Sequence, residues 1–398
     1  MLFEALTLQL GYNATLVTIG ATLLGLTAGA VGIFLYVSKR ALVSDAISHA
    51  TLPGIGLAFM AMVLLGGDGR ALPGLLIGSA LSAWIGLLCV SWLTHRTRLT
   101  EDAAIGAVLS VFFGAGIVLL TVIQSMNSGR QAGLEGFLLG STAGMLWNDA
   151  MILAAGGATV LAFVILLYRS MSLVAFDPEF AAASGTNVRR VELAMMGLAL
   201  AVSVVGLKVV GLILIVALLI IPAVAARFWS DRLKRVVAIA AGIGGASGYI
   251  GAALSASVPD LPTGPIIVLI AFAFFAISFL FAPGRGVLAV VVRHRRFQTR
   301  VHVRQGLLAL AQGQPIYEPL TLRLMRRAGL IRADGVATDA GRGQAARALL
   351  DERRWEILRA DPRHEWAAAR YDGLTPLETI LTADQLAELD LSLGPEAA

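Results

Sequence analysis

Residues 38–59 read SKRALVSDAISHATLPGIGLAF, and two of them, Asp45 and His49, stand four positions apart in a stretch otherwise apolar enough to lie in a membrane. Four residues is about one helical turn, so the carboxylate and the imidazole fall on one face. An ionisable side chain at membrane depth costs about 3 kcal/mol or more unless it lines water, a partner or an ion. Two readings follow. The pair is either a mutual hydrogen bond that pins two helices, or part of a ligand set for a borderline divalent metal, which favours mixed carboxylate and imidazole donors. An intramembrane enzyme is the weaker reading, because Ser48 pairs poorly with His49 and a second carboxylate of the aspartyl type is missing.

Working outward, composition sets the class. Hydrophobic residues make up 57% of the 398 and charged residues only 14%, against about 25% charged in an ordinary soluble domain. The single cysteine, Cys89, falls in an apolar segment, so neither a disulfide framework nor a thiolate cluster is available. No basic residue precedes the first apolar run, so a cleaved signal peptide is not expected. Stretches long enough to cross about 30 Å of hydrocarbon run over Asn13–Val37, Leu42–Leu65, Ala71–Leu93, Asp102–Ile123, Asp149–Tyr168, Val191–Gly206, Val209–Phe228, Val236–Val258 and Thr263–Ala282. The sixth and seventh are split only by a short polar break at Gly206 and Lys208. The sequence thus predicts an all-α polytopic membrane protein of about nine transmembrane helices over residues 1–286. A basic juxtamembrane linker over 287–299 and a small soluble domain over 300–398 follow.

Basic residues fix the expected orientation, since cytoplasmic loops carry the excess of Lys and Arg. Lys39 and Arg40, Arg96 and Arg98, Arg169 with Arg189 and Arg190, Arg227 to Arg235, and Arg285 onward all follow odd-numbered segments. The even-numbered connections GGDGR, QSMNSGRQAGLEG and SVPDLPTGP are poor in charge. Nine spans with the amino end outside and the carboxyl end in the cytoplasm of the inner membrane satisfy every loop. Forty-three glycines fit close helix approach and broken elements. Pro53 and Pro222 would each free a backbone carbonyl inside a span, giving kinks on which a gate can pivot. Glu101 and Asp102 read as carboxylates at a helix start.

Between the fifth and sixth segments, SLVAFDPEFAAASGTNVRR carries its own start and stop signals. Asp177 suits the cap, Pro178 the first helical position, Glu179 the positive helix end and Gly185 the close. A two-turn helix is unstable alone in water and must lean on the bilayer, its own domain or a partner. Phe176 and Phe180 on a small-residue surface suit docking of a motor subunit. No phosphate-binding Gly-x-x-x-x-Gly-Lys-Ser/Thr loop occurs and the chain has only Lys39, Lys208 and Lys234, so ATP hydrolysis by this polypeptide is not expected.

Through SDAISHATLPGIGLAF, TEDAAIGAVLSVFFGAGIVLL, LEGFLLGSTAGMLWND, DPEFAAASG and VGLILIVALLIIPAVAARF, residues 2–286 resemble the membrane permeases of the manganese/zinc/iron ABC importers. The resemblance implies a dimer of permeases, two ABC ATPase subunits docked on the short helix, and an extracytoplasmic binding protein that delivers the metal. Two facing protomers, each contributing Asp45 and His49, would offer four N and O ligands as a temporary cage for Mn²⁺, or alternatively Zn²⁺ or Fe²⁺. No permanently bound cofactor is implied.

After Arg285 the composition turns soluble. The run RHRRFQTR suits anionic lipid headgroups, and helices are predicted over Val301–Ala311, from Pro319 to near Gly329, and from Ala340 to Arg359. RADGVATDAG, bounded by Ile331 and Val336, reads as a small hairpin. Thr375 with Glu378, and Thr382 with Gln385, read as capping boxes. Residues 324–358 resemble the winged-helix part of diphtheria toxin repressor type metalloregulators, which implies a winged-helix-like α+β domain whose helix before the wing contacts DNA through Arg323, Arg326 and Arg327. Of that family's metal ligands, only His364 and Glu365 offer donors here. An alternative function therefore accompanies the permease reading: a membrane-tethered, metal-responsive transcription regulator acting through the carboxyl-terminal domain.

Overall fold

The computed structural model describes residues 3–4, 7–9, 11–67, 69, 71–125, 147–258, 261–361 and 365–393. The chain divides into two compact units, Met1–Val287 and Leu288–Ala398. The motif LEGFLLGSTAGMLWND and the connections GGDGR, QSMNSGRQAGLEG and SVPDLPTGP lie wholly or partly outside the described residues.

Among the described residues of the first unit the regular secondary structure is all helical. Its helices are α1 (Tyr12–Val37), α2 (Ala41–Leu64), α3 (Leu72–Arg96), α4 (Glu101–Ser125), α5 (Trp147–Phe176), the short α6 (Pro178–Ala183), α7 (Val188–Val210), α8 (Leu212–Arg227), α9 (Leu233–Ser257) and α10 (Thr263–Phe281). Eight of them are long and apolar enough to cross a membrane, and the chain is a multi-pass membrane protein. The expected seventh span is shorter: α8 has 16 residues, about 24 Å at 1.5 Å per residue, less than the hydrocarbon thickness. The break before it falls at Gly211, not at Gly206 and Lys208. Gly211 takes φ 76°, ψ 173°, a conformation that L side chains rarely adopt, and it caps both helices.

Packing follows from side-chain size. α1 is buried on nearly every face and lies against α9, α8, α5 and α7. Its glycines make this possible. A Cβ on Gly25 would stand 2.1 Å from the Gly244 carbonyl oxygen, one on Gly29 would stand 2.2 Å from that of Ala240, and one on Gly32 would stand 1.8 Å from that of Leu219. The α1 backbone therefore touches α9 and α8 directly, as small residues allow where lipid supplies no hydrophobic drive. α2 packs with α3 and α4 in a second group, and α7 contacts both groups. α4, α5 and α10 leave most of their apolar surface exposed, which is lipid-facing area for a membrane protein.

The second unit contains α11 (Val287–Ala311), α12 (Pro319–Arg327), α13 (Asp339–Ala360), α14 (Glu365–Ala368), a 3₁₀ turn at Leu377–Thr379 and α15 (Ala383–Leu393). The basic run RHRRFQTR lies inside α11, which begins at Val287 and not at the predicted Val301. Leu307, Met325, Leu330, Ile331, Ala345 and Ala348 form one core, and Leu358, Ala367, Leu377, Leu381 and Leu389 a second.

The winged-helix α+β expectation is not met. Among the described residues of this unit no sheet forms, and the expected hairpin is a single antiparallel bridge between Ile331 and Ala337. The reason is local. The turn is closed by the Arg332 N–H donating to the Val336 carbonyl (2.8 Å) with Gly335 at φ 88°. Thr338 then caps α13, accepting from the Gly341 N–H at 3.1 Å while its hydroxyl donates to the Gly329 carbonyl at 2.7 Å. No residues remain between turn and cap to extend a ladder. Of the arginines assigned to DNA, Arg326 donates to the Ala333 carbonyl at 2.8 Å and so holds this turn, while Arg323 and Arg327 are exposed. DNA as a partner thus loses the wing on which it rested. His364 lies outside the described residues.

Of the two capping boxes, the one at Thr382 shows its back half, with the Gln385 side chain accepting from the Thr382 N–H at 3.0 Å. The other is replaced: Asp372 accepts from the Leu374 and Thr375 N–H groups, and these bonds hold its carboxyl below the usual carboxylate range.

Candidate metal centre

α2 starts at a sharp reversal. Lys39 takes φ 60° and Arg40 is the residue before the helix. In the amino-terminal half of α2, Val43, Ser44, Ala46, Ile47, Ser48, Ala50, Thr51 and Leu52 are all buried. The positions that stay open are Ala41 and Leu42, then Asp45, then His49, a single stripe at helical spacing. The Asp45 side chain is 39% and that of His49 24% exposed.

His49 Nε2 lies 3.4 Å from Asp45 Oδ1, beyond the range of a good N–H···O bond. Nδ1 is buried and has no hydrogen-bond partner. The ring sits edge-on to Phe113 of α4, centroids 5.1 Å apart at 86°. A purely structural buried histidine has its nitrogens satisfied; this one leaves Nδ1 without a partner.

Below the pair α2 is clamped. Pro53 is buried inside the helix and, having no N–H, leaves the His49 carbonyl without its usual donor. A Cβ on Gly54 would stand 2.0 Å from the Gly78 carbonyl oxygen of α3, and one on Gly116 of α4 would stand 2.5 Å from the Leu52 Cβ. Pro222 is likewise buried inside α8, releasing the Leu218 carbonyl. The two prolines thus sit on different helices. Among the described residues no group of three or more His, Cys, Asp and Glu forms a metal cluster. One chain supplies two donors and no complete cage.

An ion-pair node lies just before the pair, and sequence reasoning missed it. Arg40 Nε is 3.0 Å from Glu101 Oε1, and its Nη1 is 3.1 Å from Glu192 Oε2. It ties the start of α2 to the first turns of α4 and α7. Glu101 is therefore a helix-start carboxylate with a second task. The signal available in the sequence was that all three residues fall in segment ends that the charge rule places on one side.

α7 begins directly after α6. Asp177 caps α6, accepting from the Phe180 N–H at 2.9 Å, with Pro178 and Glu179 in the first turn and Gly185 at φ 80° closing it. Ala181 faces inward, fully buried, while Phe176 and Phe180 are 57% and 58% exposed. α6 touches α5 and α7.

Comparison with known proteins gives consistent matches. Residues 12–282 match the ABC 3 transport family. The chain is 39% identical over 310 residues to the manganese transport system membrane protein MntC of Bacillus subtilis, covering 78% of this chain and 70% of that protein. It is 39% identical over 285 residues to the zinc transport system membrane protein TroC of Treponema pallidum, covering 72% and 94%. Among solved structures, PsaBC from Streptococcus pneumoniae in complex with Fab superposes with a TM-score of 0.63 at 30% identity, covering 73% of this chain and 99% of that one.

Proposed function

The chain belongs to the ABC 3 transport family, and from that membership we propose that it is the membrane permease subunit of an ATP-driven importer of a divalent transition metal, manganese first and zinc or iron as alternatives. The observation that carries this reading is the open stripe of α2. An acid and an imidazole on the otherwise buried amino-terminal half of an apolar helix, partly exposed and 3.4 Å apart with His49 Nδ1 unpartnered, need a polar neighbour that lipid does not provide. A second permease protomer facing the stripe supplies it and doubles the donors to four. Carboxylate and imidazole without thiolate suit Mn²⁺ and Zn²⁺, and such a set binds weakly enough to release. Relatives named for manganese and for zinc are equally identical to this chain, and manganese stands first because relatives named for manganese transport recur among the matches.

ABC ATPase subunits dock on α6, with Phe176 and Phe180 as the anchors, and an extracytoplasmic binding protein delivers the metal to the opposite face. The Arg40 node carries motion of α6 and α7 to α2. Pro53 and Pro222 are the gate pivots. The amino end lies outside and the tail in the cytoplasm, by the charge of the connections.

Reconstitution with its ATPase subunits tests the proposal: vesicles should accumulate Mn²⁺ only with ATP, and ATPase turnover should rise with the transported metal. ATP-independent equilibration of the metal would make the protein a channel. Phe180→Asp is expected to abolish co-purification of the ATPase subunits. A buried aromatic anchor contributes about 2 kcal/mol or more, and a carboxylate in its place must be desolvated. The spans should still fold, because the Phe180 side chain is mostly exposed. Normal pull-down would move the docking surface elsewhere.

A further inference from the structure

In the second unit α11, α13 and the segment before the 3₁₀ turn enclose a cavity of about 390 Å³, within the range of small-molecule sites. Four guanidinium groups line it: Arg300 and Arg304 from α11, Arg347 and Arg354 from α13. Two of them are committed. Arg354 is buried and makes two 2.7 Å bonds to the Asp390 carboxylate, with Asp351 at 3.6 Å. Arg304 donates to Glu352 at 2.9 Å and to the Tyr371 hydroxyl at 2.7 Å.

Arg300 and Arg347 have no ion pair among the described residues, and both are exposed at the mouth. Two carboxylates share the wall with them. Glu378 is at the rim, and Asp351 is already engaged by Arg354 and by the Leu377 N–H, with burial pushing its carboxyl above the usual range. Two free guanidinium groups against one free carboxylate leave the mouth positive. Of the rest of the lining, Val303, Leu307, Ala348, Leu350, Leu374 and Pro376 are apolar, and Thr299 and Gln344 add neutral polar groups. Guanidinium forks match the oxygens of a phosphate in paired hydrogen bonds, and the apolar wall suits a hydrocarbon or ring body.

We propose that this cavity binds an organic phosphate, its phosphate held between Arg300 and Arg347 and its apolar body against Val303, Leu307 and Leu374. Two sources share that chemistry, a soluble phosphate monoester and the headgroup of an anionic phospholipid. Titration calorimetry on the full-length chain in detergent, with phenyl phosphate as the probe, tests it. Saturable binding is expected, with inorganic phosphate binding more weakly for want of the ring. Arg300→Gln with Arg347→Gln should weaken phenyl phosphate by about tenfold or more while leaving the unfolding temperature unchanged, since neither arginine holds an ion-pair partner among the described residues. Displacement by adenosine monophosphate assigns the soluble source, and displacement by phosphatidylglycerol the lipid source. Absence of saturable binding, binding unchanged in the double variant, or displacement by neither competitor overturns the proposal.

Discussion

Asp45→Ala and His49→Ala are each expected to reduce ATP-driven Mn²⁺ accumulation by about 100-fold or more, equivalent to ~2.7 kcal/mol of lost coordination. In the proposed facing pair each substitution would remove two of the four donors, one from either protomer, and the remaining two would not replace the hydration shell of the ion. The scaffold should survive. Neither side chain is fully buried, Asp45 makes one long contact to His49, and the surrounding face of α2 is held by Val43, Ile47, Leu52 and the glycine contacts with α3 and α4. Asp45→Asn, which keeps shape and removes charge, should lose uptake equally while the ATPase complex still co-purifies. Uptake of ⁵⁴Mn into proteoliposomes is the measurement. Full uptake by the double variant would remove the pair from the pathway.

The second large effect concerns stability. Gly25→Ala is expected to destabilise the membrane unit by about 3 kcal/mol, the upper end of ordinary overpacking, and Gly25→Leu to prevent recovery of monodisperse protein. The added Cβ has no flexible neighbour to displace; it meets the Gly244 backbone, whose own Cβ would stand 2.1 Å from the Gly25 carbonyl oxygen. Relief requires α1 and α9 to separate, and α1 is the helix about which α5, α7, α8 and α9 assemble. Gly242→Ala is the control. It lies on the same α9, nothing stands within 4 Å of its Cβ, and the substitution should be neutral or stabilise by about 0.5–1 kcal/mol through helix propensity. Thermal unfolding in detergent distinguishes the two. Equal melting of both variants would show that the seam opens without cost.

The helical spans and the shared face of Asp45 and His49 were legible because each depends on short-range regularities. Apolar runs of sufficient length announce a span, and four-residue spacing announces a shared face. What misled was also short-range. RADGVATDAG has the composition of a hairpin, yet Thr338 is claimed by the cap of α13 and the turn consumes the residues before it. Likewise Gly206 and Lys208 looked like the break between α7 and α8, but only Gly211 carries the left-handed backbone that separates them. Nothing in composition distinguishes one glycine from another when several stand close together.

The sequence by itself determined the membrane class and the placing of an acid and an imidazole on one turn of one helix, since these follow from local composition and helical period, and its motifs carried the family resemblance. Tertiary structure alone decided that this turn is the open stripe of the amino-terminal half of α2, that Arg40 joins Glu101 to Glu192, and that α1 and α9 meet backbone to backbone. Those facts depend on which surfaces end up facing one another. That is set by the simultaneous packing of the described helices against each other, with Gly25, Gly29 and Gly32 of α1 marking places where the approach is too close for a side chain.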